Sequence, residues 1–471
     1  MVMDGTNLPR IVVEPPGPLS SQWVTRLAKT ECPAITARRS RRADESGVPQ
    51  DPIVWESALG ANVQDVDGNI YVDLTAAFAV GGLGHRHPQV VQAGHAQLDR
   101  LIHAMGDVYP SDVKIAFCER LAELAPGNLQ QSILGLSGAD AIGAALKTAV
   151  MKTGKSGLIA FWGGYHGLSH GALAATAYRK SFREPFLAQL SSRVRHFPYP
   201  DPYRPPFGMA LDSPPQAISA AVLAHLRDSL KHPASGLEDI GAILVEPILG
   251  RGGEVVPPVG FLTGLREIAD EFGILLIFDE IFSGFARTGR MFACEHEGVT
   301  PDLLCVGKAL GGGFPLSAVI GTPEVMAGWG NSKGESIHTT TFLGNPLGVA
   351  MGLASLNVLV DEDWPDRVAE IGTRRLTDLN ELKARHACIG DVRGKGLMLG
   401  VEFIKDEART PDGMMCIRLM EALRKDGYLV LPSGSYGNVL GLSPPFVLTD
   451  EQWKGFMASL EKHIVITATD R

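Results

Sequence analysis

Residues 303–313 read LLCVGKALGGG, and the place of Lys308 in them decides how the chain is read. The four apolar residues Leu303–Val306 have the length of a buried strand. The lysine emerges just past the strand end, and Gly311, Gly312 and Gly313 follow it. Three readings compete: a lysine that grasps a phosphate, a surface charge beside a flexible loop, or a buried nucleophile.

The phosphate-loop reading fails on spacing. That motif, G-x-x-x-x-G-K-[S/T], needs a glycine where Asp302 stands and a hydroxyl where Ala309 stands. Thr153-Gly154-Lys155-Ser156 ends correctly but begins at Ala149. No G-x-G-x-x-G joins a strand to a helix either, so nucleotide-binding loops are excluded.

Working outward, further apolar runs occur at Ser156–Phe161, Ala242–Val245 and Ile274–Phe278, with a helical pattern at Leu262–Phe272 between the last two. Strand–helix–strand alternation over about 115–325 implies a mostly parallel sheet covered by helices on both faces. Sites in such sheets gather at the carboxyl ends of strands. The fold class is therefore α/β. From about 350 a long helical segment, the runs Ile389–Val392 and Leu397–Phe403, a helix near 413–426 and a closing strand and helix read as a smaller α+β domain. ANVQDVDGNIYVDLT, 61–75, reads as a hairpin about Asp67-Gly68-Asn69. The Pro-rich 201–216 reads as an excursion loop, and 1–50 lacks strong periodicity. The expected division is 1–75 as an N-terminal arm with part of the small domain, 76–345 as the large domain and 346–471 as the C-terminal small domain.

The neighbours of Lys308 favour the nucleophile. A lysine at a buried strand end loses solvation and its pKa falls, and a neutral amine attacks aldehydes. ILLIFDE, 274–280, puts Asp279 and Glu280 at another strand end, where a carboxylate needs a cation, a cap or a ring nitrogen. Ser137-Gly138-Ala139-Asp140 opens a helix, a place that suits either an ordinary cap or a phosphate. In FWGGYHG, 161–167, Tyr165 is a core tyrosine or an aromatic that stacks on a flat ring. Pyridoxal 5′-phosphate takes all four groups, through its aldehyde, ring nitrogen, phosphate and ring face.

The bulk numbers agree. The 471 residues are 45% hydrophobic and 20% charged, as in a globular protein of more than one core. A net charge of −9 argues against a nucleic-acid partner. The basic cluster Arg38-Arg39-Ser40-Arg41-Arg42 reads as a solvated arm. No stretch reads as a signal peptide or a membrane span, and the six cysteines include no CxxC pair, so a cytoplasmic location with reduced thiols is expected.

Taken together, VDGNIYVDLTAAFAVGGLGHRHP (66–88), SGADAIGAALK (137–147), VEPILGRGGEVVPP (245–258), LLIFDEIFSGFARTGRMFACE (275–295), PDLLCVGKALGGGFPLSAVIG (301–321), TTTFLGNPL (339–347) and GDVRGKGLMLGVEF (390–403) resemble the class III aminotransferases, pyridoxal-phosphate enzymes of fold type I. The segments stand in family order and the resemblance covers about 55–460. PRIVVEPPGP, FPYPDPYRP and GNVLGLSPPFVLT resemble a branch that mixes 4-aminobutyrate-type aminotransferases with amino-acid racemases.

The resemblance implies that Lys308 bonds the cofactor and later shuttles protons, and that Asp279 pairs with the ring nitrogen. It implies that Gly138 and Ala139 bind the phosphate through backbone N–H groups and that Tyr165 stacks on the ring. Thr341, with Thr340 close by, would reach the phosphate of the neighbouring subunit in a homodimer. Glu246 would act behind these groups. Arg393 would bind a substrate carboxylate. No metal is implied, and the partners would be a small-molecule amino donor and a 2-oxo acid acceptor.

Three departures stand out. Leu249-Gly250-Arg251 replaces a run that ends in an acid in many relatives. That acid can mask the arginine matching Arg393, so Arg393 is expected to be permanently available and Arg251 to add a second carboxylate or phosphate contact. Ile281-Phe282 replaces Val-Gln, and Ile142-Gly143 replaces a polar pair. Aminotransfer is the leading reading. Racemisation or epimerisation uses the same cofactor but returns the proton from the opposite face. A lyase acting on phosphorylated amino alcohols and a catalytically dead dimeric module are further alternatives.

Overall fold

Leu303–Val306 is a strand, buried on both sides as its continuous apolar sequence requires. It belongs to a seven-stranded sheet formed by β1 (Gln131–Gly135), β2 (Gly157–Phe161), β3 (Val194–Phe197), β4 (Ile240–Val245), β5 (Leu275–Asp279), β6 (Leu303–Val306) and β7 (Ser317–Gly321). The structure is a computed structural model and describes residues 3–36, 43–44, 47–48, 51–237, 239–331 and 334–469. The basic cluster at 38–42 lies outside the described residues.

The strands lie in the order β1-β7-β6-β5-β4-β2-β3. β7 runs antiparallel to both its neighbours, and the pairs from β6 to β3 are parallel. Asp279 is paired with Cys305, so the carboxyl end of β5 lies level with that of β6, just before Lys308. The central strands match the apolar runs of the sequence to within two residues. β1, β3 and β7 are not signalled there; β3, VRHF, places Arg195 and His196 between its apolar ends.

Helix α1 (Gly138–Thr153) lays Ala141, Ile142, Ala145 and Ala149 on one face of the sheet, against Leu244, Ile277, Cys305 and Val319. Small alanines let helix and sheet approach closely. Ser137 and Asp140 form a capping box at its start, and left-handed Gly154 ends it. Phe161 turns to the other face and meets Phe261 of α2 (Phe261–Phe272) edge to face, at 5.7 Å between ring centroids. The expected helix-covered, mostly parallel α/β sheet is present.

The chain divides into two compact units: 88–373 with 394–398, and 1–87 with 374–393 and 399–471. The second unit holds the hairpin read at 61–75. Asn62–Asp65 pairs antiparallel with Ile70–Asp73, and Tyr428–Leu429 adds a parallel strand. Asp65 Oδ1 accepts the backbone N–H of Asp67 and Asn69 and so fixes the turn, while Gly68 takes φ +88°. A second sheet runs Ile389–Lys395, Met398–Phe403, Val439–Leu442, Leu431–Ser433. Trp453, Phe456, Leu460 and Ile464, on one face of the helix Asp450–Thr469, pack in a core with Leu419, Leu423, Val401 and Leu440. The aperiodic N-terminal stretch contains a helix, Pro18–Leu27. Its first turn is stabilised from a distance: Asp67 accepts the N–H groups of Leu19 and Ser20.

All six cysteines are free thiols, and among the described residues no helix is long and apolar enough to cross a membrane.

Candidate active site

Lys308 follows Gly307 at the carboxyl end of β6 and opens a short 3₁₀ turn, Lys308–Gly311. Its own φ is +42°, a left-handed conformation that costs a lysine roughly 1–2 kcal/mol. Such strain persists where the surrounding structure imposes it, and it clusters at functional sites. The amine Nζ lies 3.9 Å from the centroid of the Phe282 ring. Burial pushes its pKa down to about 8; Asp279 and Glu246 oppose the shift, and Arg251 and Arg287 add to it. At neutral pH about a tenth of such an amine is uncharged, far more than of an exposed lysine.

Asp279, the last residue of β5, is 4% exposed. Its Oδ2 pairs with His166 Nδ1 at 2.7 Å, and its Oδ1 accepts the N–H of Ile281. Burial alone lowers the pKa of His166, but the hydrogen bond and charge of Asp279, with the charge of Glu246, more than offset it and the net shift is upward. Glu246 follows β4 directly and is held by the N–H groups of Tyr165 and Gly250, at 3.0 and 2.7 Å. Burial raises its pKa. Ligand atoms of His166, Glu246 and Asp279 lie within 4.8 Å of one another. His166 and Asp279 are engaged with each other, and Glu246 and Asp279 accept backbone N–H groups, so the cluster's ligand atoms are already in use.

His166 is absent from the residues singled out by sequence, although it follows Tyr165 in FWGGYHG. Its signal was weak, because a lone histidine past a strand end carries no spacing rule. Glu280, read beside Asp279, serves structure instead. It is fully buried and accepts N–H groups from Ala293 and Cys294 and the hydroxyl of Ser283.

Gly138 and Ala139 begin α1. Asp140 takes the N–H groups of Leu136 and Ser137, and the N–H groups of Asp140 and Ala141 turn back to Ser137. The N–H groups of Gly138 and Ala139 make no hydrogen bond to any described residue. Two open donors at a positive helix end form an anion cradle. A Cβ on Gly138 would lie 2.8 Å from Ile281 Cδ1, so the start of the cradle is kept narrow.

Tyr165 meets Tyr178 and Phe182 edge to face, at 6.1 and 6.2 Å. The guanidinium of Arg251 lies over the rings of Tyr165 and Tyr178, at 4.9 and 5.4 Å. Lys308, Asp279, Gly138, Ala139, Tyr165 and Arg251 all belong to the larger unit, as do Thr340 and Thr341. The two threonines are exposed, just before and within the turn at 341–344. Arg393 belongs to the smaller unit and is not the open group expected: its Nη1 donates to Glu402 Oε2 at 2.7 Å and to Asp391 Oδ2 at 2.9 Å. Glu402, on the strand Met398–Phe403 that follows, supplies the counter-charge that position 251 lacks.

Pyridoxal phosphate fits this donor set. An amine of lowered basicity, a buried carboxylate backed by a histidine and two unclaimed backbone N–H groups match its aldehyde, ring nitrogen and phosphate.

The sequence profile described as aminotransferase class-III matches residues 44–464. The chain is 34% identical to the alanine/serine racemase of Pyrococcus horikoshii over 98% of this chain and 94% of the relative. It is 37% identical to the acetylornithine aminotransferase of Methanosarcina mazei over 88% and 92%. Among solved structures, an amine transaminase from an uncultivated Pseudomonas species, determined with bound pyridoxal phosphate, superposes with a TM-score of 0.82 at 30% identity, covering 88% of this chain and 95% of that one. With the profile spanning most of the chain, and these relatives matched over nearly their whole lengths, the protein belongs to the class III aminotransferase family, pyridoxal-phosphate-dependent enzymes of fold type I.

Proposed function

We propose that this enzyme moves an amino group from a small amino donor to a 2-oxo acid, with pyridoxal phosphate held in the larger unit. The observation that carries the reading is the meeting, at neighbouring strand ends, of the Lys308 amine with the Asp279–His166 pair. When bound, the cofactor supplies an electron-withdrawing ring that acidifies the substrate carbon bearing the nitrogen. Lys308 would act as the base for the proton on that carbon and hold it for return on the same face, a task suited to an amine with a pKa near working pH. Asp279 would face the ring nitrogen, and the hydrogen bond with His166 keeps that carboxylate oriented. The N–H groups of Gly138 and Ala139 orient the phosphate, Phe282 shields the amine from water, and Tyr165 forms a wall of the ring site.

The homodimer is part of the same proposal. The segments 98–109 and 337–345 pack together: Asn345 Nδ2 donates to the carbonyl of Ile102, and the rings of His103 and Phe342 are 5.4 Å apart. Leu98, Ile102, Met105, Val108, Tyr109 and Phe342 are nevertheless exposed. An apolar surface of this kind suits a second copy, and the exposed Thr340 and Thr341 directly precede Phe342 in the chain. Sedimentation of the holoenzyme is expected to give twice the chain mass at micromolar concentration; a monomer there would remove the shared-site role of the threonines.

A second reading, racemisation, draws on the likeness to the Pyrococcus racemase. It needs a proton donor on the face opposite Lys308. Arginine at 251 stays charged and gives up no proton, which favours transfer. The deciding experiment incubates the holoenzyme with one amino acid in D2O, with and without 2-oxo acids. Transfer yields a new amino acid and a new oxo acid only when both substrates are present. Inversion with Cα deuteration and no need for an acceptor would instead establish racemisation.

A further inference from the structure

We propose that Arg287 is a positioning residue for the substrate: it anchors the hairpin segment that follows Arg393 to the wall on which the Lys308 amine lies. The inference rests on the reading above, with Arg393 taking the substrate carboxylate, and deepens it by naming the residue through which that arginine is held in place.

Arg287 is 1% exposed. A guanidinium buried so deeply is costly unless it makes directed bonds. Its Nη1 donates to the carbonyl of Leu397 at 3.0 Å, and the N–H of Leu397 donates to the carbonyl of Arg287 at 2.9 Å. One residue therefore holds both backbone polar groups of another, through its side chain and its main chain together. The fit around this brace is tight. Gly396 takes φ +55°, and a Cβ there would lie 2.5 Å from the Thr288 carbonyl carbon and 2.7 Å from the Arg287 oxygen. From the other side, a Cβ on Gly372 would lie 2.2 Å from the Gly396 oxygen. The turn of the hairpin is wedged between two stretches of backbone.

The loop that presents Arg287 is fixed in turn. Phe285 and Ala286 are buried and take φ +56° and +68°, a strained pair that only a rigid surround maintains. Glu280, next to Asp279, holds the loop near both ends through the Ser283 hydroxyl and the N–H groups of Ala293 and Cys294.

A second contact joins the same hairpin to the reacting amine. Met398 packs with Ile248 and Ala293, and Phe282 lies against that cluster. The Lys308 amine is 3.9 Å from the centroid of the Phe282 ring. After burial and Arg251, the charge of Arg287 adds to the lowering of the Lys308 pKa, so the two cations also sense each other. Residues 394–398 belong to the larger unit with Lys308, and Arg393 is the last residue before them. A side chain one residue from a two-point anchor has little freedom to drift. A carboxylate bound by Arg393 is therefore presented to the reacting carbon at a fixed reach, and small errors in such a reach are expensive.

The test compares wild-type holoenzyme with Arg287→Lys, Gly396→Ala, Arg393→Gln and the double variant Arg287→Lys/Arg393→Gln. Arg287→Lys keeps a charged donor but loses the planar fork. Gly396→Ala pushes the turn off the brace and leaves Arg287 itself intact. Propanoate, a carboxylate without an amine, is titrated by NMR, and steady-state rates are measured with alanine. Both single variants are expected to weaken propanoate binding and to raise KM for alanine by about tenfold, with kcat within about threefold of wild type. In the double variant, Arg287→Lys should add nothing to the loss caused by Arg393→Gln, because both act through one contact. If one of the two single variants fails to fold in urea titration, the other carries the test. Wild-type propanoate affinity in a folded Arg287→Lys or Gly396→Ala overturns the proposal. So does a fall in kcat alone, losses that multiply in the double variant, or a wild type that binds no propanoate. If wild type does not convert alanine with any 2-oxo acid, the aminotransfer reading fails, yet the propanoate titrations still decide the role of Arg287.

Discussion

Lys308→Ala is expected to reduce amino transfer on the order of 10⁴-fold or more while leaving the protein folded. The amine is the group assigned to take and return the proton, and among the described residues no other lysine follows a strand end beside the Asp279 pair. Phe282, over which the amine lies, is apolar and cannot replace it. Borohydride treatment should attach the cofactor to wild type at the peptide containing Lys308 and should not do so in the variant. Stability separates two effects at this position. Lys308 sits at φ +42°, and alanine keeps that strain. Glycine relieves it, so Lys308→Gly should be more stable than Lys308→Ala by about 1 kcal/mol in urea denaturation and equally inactive. Substantial turnover in either variant would remove the nucleophile assignment.

Asp279→Asn is expected to cost roughly 10³-fold in turnover, because a fixed charge beside the ring nitrogen is replaced by a neutral dipole. It also alters stability in a pH-dependent way. The raised pKa of His166 means that its charged form is favoured in the folded wild-type protein over the unfolded value near 6.5. That stabilisation is fully present below 6.5 and is lost as pH rises through the folded pKa. Without the carboxylate charge, burial dominates and the imidazolium is disfavoured. The variant should therefore lose most stability in acid, by roughly 3 kcal/mol, with the gap narrowing above the folded pKa. Urea titrations of cofactor-free protein at about pH 5.5 and about pH 9 measure the difference. An equal loss at both pH values would show that His166 does not bear the charge.

Much of this was legible in the chain. Continuous apolar runs as short as LLCV and ILLIF, bounded by chemical groups and helical patterns, read as strands buried on both faces, and the residues that follow them land at the functional edge of a parallel sheet. Lys308 and Asp279 are placed by that rule, and the Gly138–Ala139 start of α1 by the capping residues Ser137 and Asp140. The Asp67-Gly68-Asn69 turn is equally local, since it depends on a positive φ and a carboxylate two residues back. The edge strands β1 and β3, and β7 between β1 and β6, were not legible, because β3 is half polar and polar or glycine ends leave β1 and β7 only short apolar centres, Ile133-Leu134 and Ala318-Val319-Ile320.

What the sequence by itself determined is where the chain turns from apolar run to chemical group, and in what order. Those features follow from periodicity and from local backbone preference. Only the tertiary structure decided which polar groups meet. His166 finds Asp279 across 113 residues, and Asp67 caps a helix that begins 49 residues before it. Arg393 is engaged by Glu402, while Arg251 rests on two tyrosine rings with its donors open. The physical reason is that a hydrogen bond or an ion pair depends on a distance of about 3 Å through space, and no pattern along the chain carries that distance.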